Sequence, residues 1–539
     1  MTQFGITKHP DSKTRSRRAK ISIPFTILLL LCFIFFSFSA NVSQIVFGKN
    51  KVDIFQSNLN QLAFSFRPID KNVSKFLLTV DDVMKSYMSG DNIFVTKEKE
   101  IDEALTYIQQ NKEYLKKLGF GNYDAVMNLL TDLQKHKDEL FDLLGKKESQ
   151  NYLVILENTN EKRPNGGFFG SFAFIKVQGG HVKTMEIVDS YYPDFIAYRT
   201  RILAPDRTSP FLPDKKIGFI AGNKFGFSDI DGKNLKDLYE LMFSKTYDIN
   251  KVKQTMQPDL YDKLLNQNIR GVIFVRSDML EKLLPGFRNK IRERQFLNAS
   301  IDLIRKEYRG NKKELYIKEV KQYVNQNKLT LARNVVNKFG EIANNQYLTM
   351  YLSNISSGFD GLLAKNKLSN VFSQSSMYFR DMNASYNKVD SFVQKNITIK
   401  DVNGSNIRET DGDIITTDKL QTGQTYTITI SYKFAISDQY KAIIQGFEKK
   451  YDVSLSGREE AILALRAGTY NEPPFGLVKK RRETRSSIYL PLNINILNVT
   501  GDLYYQTPFY PPFANGLFYQ MGSVENNTTK SIKIEIEVK

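Results

Sequence analysis

Residues 152–182, YLVILENTNEKRPNGGFFGSFAFIKVQGGHV, set apolar runs on either side of a charged loop that holds a proline and two adjacent glycines. The run 152–156 is short, apolar and rich in strand formers, and it reads as a buried strand. Further runs at 168–177 and 182–188 flank Gln178-Gly179-Gly180-His181, and two glycines between apolar runs predict a β-hairpin. The loop between the first two runs is the candidate site. Pro164 fixes its own φ and pushes Arg163 toward an extended conformation. Gly166 and Gly167 permit positive φ and let backbone amides converge without side-chain obstruction. Converging amides beside an arginine fork suit phosphate or carboxylate, and arginine holds two oxygens at once where lysine cannot. Arg163, Gly166 and Gly167, with Glu161, Asn158, Ser171 and Asp189, form the candidate anion-binding set. The competing reading is an ordinary tight turn in which Glu161 and Arg163 pair with each other.

Working outward, the brief apolar run 272–275 precedes a helix through Leu280, Leu283 and Leu284, and longer helical patterns fill 291–309 and 313–345. Residues 149–380 therefore read as an α/β domain with a mixed sheet. On the N-terminal side, Ile101, Ala104, Leu105, Ile108, Leu115 and Leu118 recur at helical spacing. After Gly119-Phe120-Gly121 so do Val126, Leu129, Leu130, Leu133, Leu140, Phe141 and Leu144, with Gly145 as the stop. Residues 49–148 are expected to form a helical hairpin, either a stalk or a layer on the next domain. From 381 onward strict alternation appears at 426–434, 488–496 and 532–538, which fits an antiparallel β-sandwich-like domain over 381–539 with a helical insertion near 438–467. The expected whole is an α+β multidomain chain.

The 539 residues suggest about three domains, and 41% apolar content supplies more than one core. From 21 to 48 no residue is charged, long enough for a transmembrane helix. Before it, six Lys/Arg in residues 1–20 face one acid, Asp11, which predicts a cytoplasmic tail and an extracytoplasmic bulk. Cleavage after Ala40 is disfavoured by Phe38, and a lipid anchor on Cys32 by Leu31. The cytoplasmic membrane, through 21–48, is thus an expected partner. The tail carries +5 of the net +18, which leaves +13 for the part expected outside the cell, where nucleic acid is not the usual partner. It favours anionic envelope polymer or another envelope protein. Three histidines and one cysteine give no metal or thiol motif, and no cofactor is evident. Lys479, Lys480, Arg481, Arg482 and Arg485 are the densest basic run outside the tail and the candidate polymer or surface contact. Tyr504, Tyr505, Phe509, Tyr510, Phe513, Phe518 and Tyr519 form an aromatic loop expected to pack on the sandwich end or dock a sugar or a protein.

The segment 152–182 resembles the central motif of the domain-of-unknown-function family 4012 of bacterial envelope proteins, with Asn158, Glu161, Arg163, Pro164, Gly166, Gly167, Phe168, Gly170 and Ser171 at the matching positions. The likeness extends less sharply over 120–539. Where that family has an Arg-Asp-Ala-Asn-like stretch, only Asn223 remains here, with Ile220 and Ala221 in place of the charged pair. The general layout is also similar to the LytR-CpsA-Psr glycopolymer transferases, which implies Arg163 and Asp189 at a pyrophosphate. Under that alternative Mg²⁺ is the cofactor, with Asp189 and Asp194 as its oxygen ligands. A third alternative is a structural stalk or adhesin. The topology makes one prediction: protease added to intact cells should digest the portion beyond residue 48 while residues 1–20 stay protected. Digestion of neither portion would contradict the anchor.

Overall fold

The computed structural model of the chain describes residues 60–111, 131–194, 219–244, 258–287, 338–383, 392–436 and 480–539, apart from a few positions within them, and isolated residues elsewhere. The tail and anchor (1–48), the helical patterns at 291–309 and most of 313–345, the insertion near 438–467, Lys479 and Arg482 lie outside the described residues. Among the described residues no helix is long and apolar enough to cross a membrane.

The helical layer comprises α1 (Lys71–Ser89), α2 (Glu98–Gln110) and α3 (Lys137–Leu143). Asp70 caps α1 by accepting from the Asn72 and Val73 amides, and Gly90 ends it in the left-handed conformation. Lys137 of α3 binds Asp102 of α2 at 2.8 Å, and Phe94 packs on Phe141. The layer rests on the tip of the glycine hairpin. The Tyr87 ring stacks on His181 at 4.2 Å, and the Gly179 and Gly180 amides donate to Gly145 and Leu144.

The apolar runs of the opening stretch become β1 (Gln150–Glu157), β2 (Ser171–Gln178) and β3 (His181–Asp189). Gly179 and Gly180 both take positive φ, 58° and 81°, as a two-residue hairpin turn of this hand requires. Helices α4 (Ser228–Met242) and α5 (Pro258–Leu264) precede β4 (Gly271–Arg276). Then come α6 (Asp278–Leu283), α7 (Phe339–Asn344), β5 (Leu348–Leu352) and α8 (Ser357–Lys365). The sheet order is β3-β2-β1-β4-β5, with β1 and β4 parallel and the other pairs antiparallel, as a mixed sheet demands. Leu153 and Ile155 face one side, with Phe172, Phe174 and Leu235, Leu238 and Tyr239 of α4. Tyr152 and Val154 face the other, with Ala173 and Ile175. Each such side chain fully buried contributes about 1.5–3 kcal/mol, so α4 is fixed on the sheet by its apolar face.

Beyond residue 375 two five-stranded antiparallel sheets enclose one core. Their strands are β6 (Ser376–Asn383), β7 (Val393–Asp401), β8 (Asn406–Thr410), β9 (Ile414–Thr416), β10 (Thr425–Phe434), β12 (Thr484–Leu490), β13 (Ile494–Gly501), β14 (Leu503–Phe509), β15 (Asn515–Met521) and β17 (Thr528–Val538). A small ribbon pairs β11 (Lys480–Arg481) with β16 (Val524–Glu525). One sheet runs β13-β17-β10-β7-β8 and the other β14-β15-β12-β6-β9. The alternation at 488–496 is not one strand, as the pattern suggests. It breaks at Pro491–Asn493 and its halves, β12 and β13, join opposite sheets, because proline cannot donate to a continuing ladder. The aromatic stretch expected as a loop is largely the hairpin β14–β15.

The sheet domain meets the sandwich at Phe227, just before α4. Its buried ring sits among Tyr489 at 5.0 Å, Tyr378 at 5.3 Å, and Phe372 and Phe513 at 5.9 Å each. Phe227→Ala should lower unfolding stability by about 3–5 kcal/mol through loss of apolar contact and an unfilled cavity. Urea unfolding will measure it, and a change under 1 kcal/mol would show that the ring is not the plug.

Candidate functional site

The loop after β1 is not a solvated turn. Asn158, Thr159, Glu161, Arg163 and Asn165 are all buried. Asn158 bridges Phe168 in antiparallel fashion, the Phe168 amide donates to Glu161, and the Gly166 amide donates to the Arg163 carbonyl at 2.9 Å. That last bond closes a β-turn with Pro164 in its second position, where its φ is already set.

Two close approaches explain the glycine pair. Gly166 takes φ 154°, and a Cβ there would lie 2.3 Å from Glu157 Oε2. A Cβ on Gly167 would lie 2.4 Å from the Asn158 carbonyl. The loop is clamped by Asn223, whose Nδ2 donates to Glu157 Oε1 at 2.9 Å and to the Gly167 carbonyl at 2.7 Å. Glu157 is buried at the carboxyl end of β1, beside Arg276 of the parallel strand β4. Burial pushes its carboxyl up to about 8, against opposing contributions from Asn223, Arg276 and Gly167. Sequence reading missed Glu157, since an acid ending an apolar run looks like any strand end meeting solvent.

Among the residues proposed from sequence, Arg163 pairs with Glu161 at 3.1 Å. Its guanidinium lies 5.4 Å over the Phe168 ring and its Nη1 reaches Met382 Sδ at 3.5 Å. Arg485 of the basic run stands opposite Met382 in the β6–β12 register, so two candidate groups separated by over 300 residues approach one another. Lys224 feels both arginines. Burial first, then the charges of Arg163 and Arg485, push its ammonium down to about 8. Lys480 and Arg481 pair with Glu525 and Val524 in the small ribbon. Ser171 and Asp189 are cross-strand partners at the ends of β2 and β3. Asp189 accepts the Tyr191 amide, and Asp194, raised by its own burial, accepts the Ile220 amide. Among the described residues no group of three His, Cys, Asp or Glu is placed to hold a metal ion.

The loop forms one wall of a cleft of about 540 Å³ between the mixed sheet and the sandwich. Lys162, Arg163, Asn165 and Gly166 line the loop side. Arg276 ends β4, Asp278, Lys282 and Tyr347 follow it, and Arg380, Asp381, Lys395, Asp411 and Asp413 belong to the sandwich. Ion pairs occupy most of these charges. Arg276 holds Asp278 at 2.7 Å, and Lys395 holds Asp381 at 3.0 Å and also Asp413. Tyr432 and Ser486 donate to Asp381 at 2.8 and 2.7 Å, and Lys395 holds that carboxyl below its usual range against the effect of burial. Arg380 differs. It is 4% exposed, lies 5.3 Å over both Phe227 and Tyr378, and donates to a neutral acceptor, Asn370 Oδ1, at 2.9 Å. No carboxylate among the described residues lies within ion-pairing distance of it.

Fold and site together define a mixed-sheet domain whose glycine loop faces an adjoining β-sandwich. Residues 147–289 match the model of a family described as a protein of unknown function (DUF4012), which supports the resemblance read from the loop over the sheet domain as far as α6. No curated protein and no solved structure matches the chain.

Glu157 makes the site's stability pH-dependent. Its folded-state value of about 8 stands above an ordinary 4.5, so the folded protein keeps a proton that the unfolded chain has released. Stability should fall as pH rises from about 4.5 to 8 and level off above that, because the native state binds more protons there. Denaturant unfolding at several pH values should show a shallower decline in Glu157→Gln, and parallel profiles would refute the assignment.

Proposed function

We propose that this chain is a single-pass, membrane-anchored envelope protein that holds an anionic surface glycopolymer in the cleft between sheet and sandwich without chemically altering it. The observation carrying this reading is Arg380, a buried arginine that faces the cleft yet bonds a neutral amide. A buried cation normally sits with a carboxylate, since desolvation is costly without one. Desolvation holds its guanidinium below the usual value. Asp413 and Asp231 oppose that effect from beyond ion-pairing distance, and an anion in the cleft would supply a counter-charge in contact. With Arg380 included, six basic residues of the lining outnumber four acids, and the volume falls in the range of small-ligand clefts. The net +13 beyond residue 20 would draw acidic polymer toward the cleft. Arg163, on which the transferase alternative rests, is engaged with Glu161 and Phe168.

The full-length protein in detergent should be retained on immobilised polygalacturonate and polyphosphate at low salt and released at high salt. Arg380→Gln should weaken retention by about 10–100-fold, the range of one charged hydrogen bond. Its melting temperature serves as the folding control. Unaltered retention by a folded Arg380→Gln protein would rule out this cleft.

A further inference from the structure

One amine and two carboxylates meet where the two sheets of the sandwich face each other. Lys395 stands on β7 opposite Tyr432, and Asp381 stands on β6 opposite Ser486, so amine and carboxylate come from different sheets. Asp413 lies just before β9, and its carbonyl accepts the Phe379 amide at 2.8 Å, which ties it to β6. Lys395 Nζ donates to Asp381 Oδ2 at 3.0 Å and is in contact with Asp413 Oδ1. Tyr432 and Ser486 both donate to the other oxygen of Asp381, Oδ1, which leaves Oδ2 turned to the amine. The Lys395 and Asp381 side chains are each 3% exposed, whereas Asp413 lines the cleft and is partly open to it. Burial pushes Lys395 down and the aspartates up, yet their mutual attraction prevails, so Lys395 stands above its usual range and both aspartates below theirs. Ion pairs buried in this way seldom outperform apolar residues of the same volume. An amide in the same place carries neither charge.

We infer that Lys395 Nζ and Asp413 Cγ condense into an intramolecular amide that joins the two sheets, with Asp381 as the proton-transfer group. One proton first passes from the ammonium to the Asp413 carboxylate, giving a neutral amine and a neutral acid. The Nζ lone pair then forms the Nζ–Cγ bond, and Asp381 Oδ2 accepts a second proton from Nζ. Asp381 returns that proton to the departing hydroxyl as the Cγ–O bond breaks. One water leaves, and the cleft beside Asp413 is its exit. Nothing is oxidised or reduced, and Asp381 ends as the carboxylate it began, with Lys162 at 3.9 Å. The fold supplies the approach that free amine and acid lack, because it holds nucleophile and carboxyl in contact. Loss of two buried charges favours the product. The bond removes one charge of each sign from the cleft wall, so the basic excess used above is unchanged and the two proposals are independent.

The test purifies the full-length protein in detergent, digests it after denaturation and reads the peptides by mass spectrometry. Wild type should yield a branched peptide that joins Lys395 to Asp413 and is lighter by one water than the sum of its arms. Lys395→Arg keeps a cation beside both aspartates but offers no amine, so it should yield only linear peptides. Its melting temperature should also fall, because a cross-link restricts the unfolded chain. Asp381→Asn keeps the shape of the side chain without its basicity, and should leave most chains unjoined when wild type is fully joined. Linear peptides alone from wild type would overturn the inference, with no variant required to fold. A branch from Lys395 to Asp381 in place of Asp413 would overturn it as well, and complete joining in Asp381→Asn would overturn the proton-transfer role. None of these outcomes involves polymer retention, so the binding reading stands or falls separately.

Discussion

One side-chain amide holds the loop where it is. Asn223 Nδ2 divides its two hydrogens between Glu157 Oε1 and the Gly167 carbonyl, joining the end of β1 to the backbone that crosses it. The crossing is so close that neither Gly166 nor Gly167 has room for a Cβ. A charged carboxylate under such a crossing would carry a heavy desolvation penalty, because Glu157 Oε2 has no hydrogen-bond partner among the described residues. Burial resolves this by favouring the neutral acid. Below about pH 8 the loop therefore rests on an uncharged group, with Pro164 and Asn165 beyond it lining the cleft.

The opposite wall depends on a second fixed point. Arg380 is held by two rings and by Asn370, whose own Nδ2 donates to the Gly226 carbonyl at 3.0 Å. Asp231 accepts the Phe225 and Gly226 amides at 2.9 Å each, and its carboxyl is likewise driven well above its ordinary range by burial. Ser228 and Asn370 exchange hydrogen bonds through the seam. The turn before α4 thus carries both the Phe227 plug and the acceptor that orients Asn370. Domain pairs with small polar interfaces usually move against one another. Here an apolar plug flanked by the hydrogen-bonded Asp231, Ser228 and Asn370 joins the two walls.

These walls differ in how far the sequence reveals them. Period-two alternation located β10 and β17, and the double glycine located the β2–β3 turn, because both are local consequences of backbone geometry. Alternation failed at 488–496, where Pro491 sits between two strands that happen to share a phase. The glycine loop was legible as special, and its Glu161–Arg163 pairing was foreseen as the plainer of two readings. Asn223 was placed by family likeness alone. Arg380, Lys395 and Asp413 had no local signature at all. They lie more than 200 residues from the loop: Arg380 is a polar residue on β6, Asp413 sits in the turn between β8 and β9, and Lys395 takes a buried position of β7 in line with Ile397 and Ile399. Asn165 was hidden differently, since asparagine after proline is ordinary turn chemistry and only burial makes it unusual.

The excess of basic residues is therefore a poor guide to where affinity resides. In the cleft, Arg276 and Lys395 already have carboxylate partners, and Lys162 comes within 3.9 Å of Asp381. Charges so compensated add little to binding, because a ligand must compete with an existing partner. What distinguishes the site is Arg380, a buried cation whose guanidinium bonds a neutral amide. Diffuse positive charge governs encounter and responds to salt. Under the binding proposal the contact with the acid group would fall to Arg380, which the rings of Phe227 and Tyr378 hold in place.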